Sequence, residues 1–96
     1  MMSEPLVFMK GMTTRMIKAI HQTRSYPHPK DDHLELVLAE VEGATYYPYV
    51  VWMHNFRTDT MEHGDYYSTF AEAQDGFEAR YQRIAKQSLR RTRRKP

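Results

Sequence analysis

Residues 45–56 read TYYPYVVWMHNF, and whether they form a strand decides the fold. Three Tyr, one Trp, one Phe and two Val in this run are the aromatic and β-branched composition that fits a pleated, half-buried surface. Pro48 has no amide donor and belongs at the beginning of a strand, on an edge or at a bulge, so pairing is expected from near Tyr49. In a strand, Tyr46, Pro48, Val50, Trp52, His54 and Phe56 face one way, and Tyr47, Tyr49, Val51, Met53 and Asn55 the other. Both faces are apolar. One helix covers only one face of a small sheet, so the second face calls for the N-terminal segment, a second copy of the chain or another protein.

Downstream, the polar stretch RTDTMEHG (57–64) leads to the short run DYYS, which predicts an antiparallel hairpin with an eight-residue loop. The next segment is STFAEAQDGFEARYQRIAKQ (68–87). Thr69 followed by Glu72 is a capping box: the Thr hydroxyl accepts the Glu72 amide proton while the Glu carboxylate returns to the Thr amide. Phe70, Ala73, Phe77, Tyr81 and Ile84 then recur at steps of three and four, which predicts a helix from about Phe70 to Gln87. Gly76 inside it costs about 1 kcal/mol relative to Ala and points to a close approach by another element.

Upstream, HLELVLAEVEG (33–43) reads better as a strand, because a short turn at EGAT would pair it directly with the aromatic strand. The alternative is a helix capped by Asp32 and ended by Gly43. TTRMIKAIHQTRSY (13–26) fits a helix along Met12, Met16 and Ile20, or a strand with Ile17, Ala19 and His21 on one side. YPHPKDD (26–32) is a loop, since each Pro biases its predecessor away from helical geometry. The expected fold is therefore α+β: an antiparallel sheet of three or four strands with one long C-terminal helix packed on one face. Residues 1–11 are expected to be a disordered extension, 12–87 a single domain and 88–96 a basic tail.

Ninety-six residues suit one domain, and 41% hydrophobic with 12% aromatic content is enough to build one core. The absence of Cys excludes disulfides, thiolate nucleophiles and cysteine-based metal sites. No run approaches the ~18 apolar residues of a membrane span, and the start MMSEPLVFMKGM lacks the features of a secretory signal. A cytoplasmic, non-membrane protein is expected.

Charge is strongly divided. Residues 1–79 hold six basic residues and all twelve acidic ones, a net of −6, whereas residues 80–96 hold eight basic residues and no acidic ones, a net of +8. Clustered cations displace counterions from phosphates, the sequence-independent part of nucleic-acid binding. Arg83, Arg90, Arg91, Arg93, Arg94 and Lys95 are the candidate contacts, with Arg80 and Lys86 extending the charge along the helix. The competing reading is a solvated tail that pairs with the acidic body. The body itself lacks a nucleic-acid footprint: residues 31–79 contain one basic residue, Arg57, and no cations interleave with the aromatics.

No catalytic, metal or cofactor site is expected. His28 and His33, near Asp31 and Asp32, lack the spacing of a ligand set. His54 and His63, with Asp59 and Asp65 nearby, are read as hairpin packing, and Ser68 and Thr69 as helix-start residues. The candidate partner surface, for a protein or a second copy, is the sheet face carrying Tyr47, Tyr49 and Met53, with the bulkier Trp52 and Phe56 placed beneath the helix against Phe70 and Phe77.

The run YYPYVVWMHN followed by GDYYSTFAEAQDGFEARY resembles small proteins of bacterial phages and plasmids, in which a Tyr- and Trp-rich hairpin precedes a TF-EA---F--R helix. The likeness covers about residues 46–81. It implies a mobile-element protein, uncharacterised or similar to the anti-CRISPR and anti-restriction inhibitors, which occupy a host nucleoprotein machine without catalysing a reaction. The expected function is thus a small non-enzymatic binding protein that docks a macromolecule through its aromatic sheet face while the basic tail contacts nucleic acid or a nucleoprotein.

Overall fold

The computed structural model describes residues 6–7 and 15–93, with side chains for residues 17–91. TYYPYVVWMHNF forms strand β4, Tyr49–Asn55, entered through Pro48, whose carbonyl accepts the Val41 amide at 2.8 Å. The other strands are β1 (Leu6–Val7), β2 (Arg15–Ser25), β3 (Leu34–Val41) and β5 (Thr60–Tyr67), and helix α1 spans Phe70–Arg93. Strand order follows chain order and every pairing is antiparallel. The result is a four-stranded meander, β2 to β5, with the two-residue β1 on the outer edge of β2, and α1 packed on one face. This is the expected α+β architecture.

HLELVLAEVEG is a central strand, which explains its apolar groups on both sides: Leu36 and Leu38 are buried on one face, Val37, Ala39 and Val41 on the other. TTRMIKAIHQTRSY is a strand as well. Its ambiguous pattern has a physical origin, because the register with β3 shifts between Ile17 and Ala19 and again between Ile20 and Gln22. Each irregularity breaks the alternation that marks a strand. Of the stretch 1–11 expected as an extension, Leu6 and Val7 pair with Met16 and Arg15; its other residues lie outside those described.

Two boundaries differ from expectation. The β4–β5 loop is four residues, 56–59, and TMEHG belongs to β5. Asn55 Oδ1 accepts the amides of Arg57 (2.9 Å) and Thr58 (3.3 Å), Asp59 takes a left-handed φ of 55°, and Thr60 and Met61 are already buried. Helix α1 also continues past Gln87 to Arg93. No Gly or Pro stops it there, and the cations of its last turns face the negative end of the helix dipole. Residues 88–93 are thus helix rather than a separate tail.

The sheet faces are the reverse of those assigned from side-chain bulk. Helix residues Ala73 and Phe77 bury Leu36, Leu38 and Val51, with Tyr49, Tyr67, Tyr81 and Ile84 around them. Trp52 lies on the opposite face with Val50, Val37, Ala39, Val41, Ile17 and Met61. Gly64 in β5 makes room for it. A Cβ at Gly64 would sit 2.8 Å from Trp52 Nε1, 2.9 Å from its Cδ1 and 3.3 Å from Val50 Cγ2. Phe56, also expected under the helix, follows the end of β4, is half exposed, and packs edge-on against His54.

Candidate functional site

The N-terminus of α1 is built as the capping box predicts in one half. Thr69 Oγ1 accepts the Glu72 amide at 3.1 Å, while the Glu72 carboxylate accepts from the Ser68 hydroxyl at 3.0 Å. Gly76 marks the predicted close approach: a Cβ there would fall on the hydroxyl of Tyr67. Burial, and then the negative charge of Asp65, raise the Tyr67 phenol above its ordinary pKa, because both disfavour a phenolate.

The basic residues of α1 separate into two groups. Arg80, with only 12% of its side chain exposed, turns inward, and its Nη1 donates to the Val51 carbonyl (3.1 Å), the His63 carbonyl (2.6 Å) and Asp65 Oδ2 (3.0 Å). These acceptors surround the β4–β5 register shift between Val51 and Met53, where His63 takes a φ of 56°. Arg80 is therefore a staple across a β-bulge and not part of a presented basic surface. Arg91 pairs with Asp31 Oδ2 at 2.8 Å, tying the end of α1 to the loop after β2. Tyr81 donates to the Ser25 carbonyl at 3.1 Å. Arg24 of β2 reaches up to Glu78 at 2.7 Å while its guanidinium lies over the rings of Tyr81 (4.6 Å) and Phe77 (5.4 Å). The Glu78 hydrogen bond raises the Arg24 pKa further.

Arg83, Lys86 and Arg90 remain on the outer side of α1. All three are exposed, and their spacing of three and four residues places them along one stripe about 10 Å long. Of the other predicted contacts, Arg93 is helical with its side chain outside the described residues, and Arg94 and Lys95 lie outside them altogether. The same outer side carries Glu72 and Asp75 in its first turns, so the helix is acidic at one end and basic at the other.

The predicted partner residues are dispersed. Tyr47 is 57% exposed in the β3–β4 connection. Tyr49 is not on an open face: it packs beneath the start of α1, 5.8 Å from the Phe70 ring, in the helix-side core. Met53, cross-strand from buried Leu36, shares that helix-side face and is half-buried. The exposed aromatics that accompany Tyr47 are Tyr46 and Tyr66. Tyr47 and Tyr66 together border two hollows, of about 500 Å³ toward Gly43–Tyr46 and about 590 Å³ toward Tyr67, Glu72, Asp75 and Gly76. The signal for Tyr66 was the doublet Tyr66-Tyr67 at the end of a strand, since alternation sends one ring inward and leaves the other out.

Three of the histidines, His21, His28 and His54, make hydrogen bonds within the fold. His54 holds Glu35 Oε2 (3.2 Å) on Nδ1 and Asp59 Oδ1 (3.0 Å) on Nε2, closing the hairpin. His28 Nδ1 accepts the Lys30 amide, and His63 lies 3.8 Å from Glu62. His21 bonds Glu40 at 3.1 Å, and this bond, helped by Lys18, lowers the Glu40 carboxyl below its ordinary pKa. Among the described residues no cluster of three or more His, Asp or Glu is arranged to hold a metal ion, and no helix is long and apolar enough to cross a membrane. Comparison of the chain with protein-family models, curated proteins and solved structures yields no match.

Proposed function

We propose that the chain is a non-enzymatic binding protein whose contact with nucleic acid, or with the nucleic-acid component of a nucleoprotein, is the outer side of α1. The observation that carries this reading is the stripe of Arg83, Lys86 and Arg90, exposed on a rigid helix while Arg80 and Arg91 are engaged by internal acceptors. A helix-mounted row of cations meets successive phosphates without ordering a flexible tail first, and carries no base-reading geometry. Binding is then independent of sequence and steeply dependent on salt. The acidic body supports a contact confined to this stripe, because the remaining surface repels a polyanion.

The test is fluorescence anisotropy with a labelled 20-mer, duplex and single-stranded, between 50 and 200 mM salt. Three phosphate contacts contribute a slope of about −2.7 in log K against log salt on duplex and about −2 on single strands, a roughly 40-fold or 20-fold weakening over this range. The triple variant Arg83→Gln/Lys86→Gln/Arg90→Gln should flatten the slope by that amount. An unchanged slope would overturn the proposal. A protein partner recovered after nuclease treatment, and retained by the triple variant, would instead favour an inhibitor that occupies a host protein surface.

A further inference from the structure

At the other end of α1 the surface has the opposite chemistry. Tyr47 and Tyr66 stand exposed between two hollows, with Tyr46 flanking one and Glu72 and Asp75 rimming the other. A tyrosine face accepts either a nucleobase, by stacking, or a cation, by the attraction of its ring quadrupole. Charge decides between them. Glu72 and Asp75 are exposed carboxylates on the hollow's wall, and they repel the phosphate that accompanies every base, whereas they attract a guanidinium or ammonium. The N-terminal dipole of α1, which would oppose a cation, is met by the Thr69 cap and by Glu72 in the first turn.

We infer that the Tyr47–Tyr66 ridge, with Glu72 and Asp75, is a docking site for an arginine- or lysine-bearing segment of a partner protein. The occupant enters as an extended basic peptide: one cationic side chain lies against the Tyr47 and Tyr66 rings and its neighbour reaches Asp75. Each hollow, of about 500 or 590 Å³, has room for a few side chains of an extended segment but not for a folded element. The site is independent of the basic stripe, so it stands or falls without the nucleic-acid reading. If both hold, the molecule presents an anion-binding end and a cation-binding end on one helix, which suits a partner made of nucleic acid and basic protein.

The probe is a labelled hexa-arginine peptide, titrated into the full chain and followed by anisotropy and by backbone amide shifts, with hexaglutamate and a single-stranded 20-mer as comparisons. Hexa-arginine should saturate and shift amides within 43–47 and 66–76. Tyr47→Ala and Tyr66→Ala should each weaken it about 5- to 30-fold, and Asp75→Asn about 3-fold, with nucleic-acid binding by the stripe unaltered. Tyr47 is exposed in a connection and Asp75 on the helix surface, so these two variants keep the fold even if Tyr66→Ala disturbs β5. Shifts spread evenly over all acidic surface, or an affinity indifferent to Tyr47→Ala, would overturn the inference. Movement of the same amides by the oligonucleotide in place of the peptide would assign the ridge to base stacking and overturn it as well.

Discussion

Replacing Gly64 by Ala tests the packing of the face that bears Trp52. The backbone there is not in the left-handed region, so Ala fits it and would by itself stabilise by about 0.4–1 kcal/mol through the unfolded chain. Against this stands the new methyl, 2.8 Å from Trp52 Nε1 and 2.9 Å from Cδ1. The indole has little freedom to withdraw, because Trp52 is 1% exposed and sits among Val37, Val50 and Met61. Overpacking of this kind costs about 1–3 kcal/mol. The net expectation is a loss of about 1–2 kcal/mol, which for a domain of this size lowers the melting temperature by roughly 5–15 °C. The decisive comparison is the same substitution in a Trp52→Leu background, followed by circular dichroism since the only Trp is then gone. With the indole removed, Gly64→Ala should become neutral or mildly stabilising, a coupling of about 1–3 kcal/mol between the two sites. Equal losses in both backgrounds would refute the packing and would place Trp52 elsewhere than over Gly64.

Arg80 and Arg83 are three residues apart on α1 with different expected roles. Arg80→Met leaves the Val51 and His63 carbonyls without their donor and should cost about 2–3 kcal/mol, a fall of roughly 10–20 °C in thermal unfolding, whereas Arg83→Gln should leave stability within about 0.5 kcal/mol; equal effects would contradict the inward staple. Glu40 supplies a pH dependence. Its folded pKa is lowered by His21, so its stabilisation is complete above the ordinary glutamate range and is lost as pH falls through the depressed folded value. Glu40→Gln should therefore reduce stability at neutral pH and narrow its gap from the parent in acid, measured by urea unfolding at pH 7 and pH 3. A gap that widened on acidification would carry the wrong sign.

The elements were legible in the sequence where local physics dominates. The α1 stripe and the Thr69–Glu72 cap are written in spacing alone, and Gly76 announced a close approach that Tyr67 makes. The strand character of 33–43 followed from its neighbour, since a pairing partner was at hand. The segment 13–26 was not legible, because two register shifts scramble the alternation on which a strand is recognised. The end of α1 was misplaced for a related reason. A run of cations resembles a solvated tail in composition, but Arg and Leu are good helix formers, and Arg91 gains a partner in Asp31 that lies sixty residues away.

The assignment of faces shows where side-chain size misleads. Bulk placed Trp52 under the helix, on the view that the largest ring belongs with Phe70 and Phe77. A helix lying on a sheet, however, needs a surface of moderate and even height, which Leu36, Leu38 and Val51 supply, while a tryptophan needs a depression beside it. Gly64, itself within the bulge that Arg80 fastens, provides that depression on the opposite face. The pairing of a strand glycine with a cross-strand tryptophan was present in the sequence, in GDYY and VVWM, but it acquires meaning only once the hairpin register is known. The same register turns Tyr49 and Tyr67 inward beneath α1 and leaves Tyr66 outward, lining the same hollows as Tyr47, so one slip of the β4–β5 bulge would dismantle both the core and the ridge proposed as a docking site. Stability at this end of the molecule, and with it the proposed docking of a basic segment, is thus tied to a single irregularity in one strand.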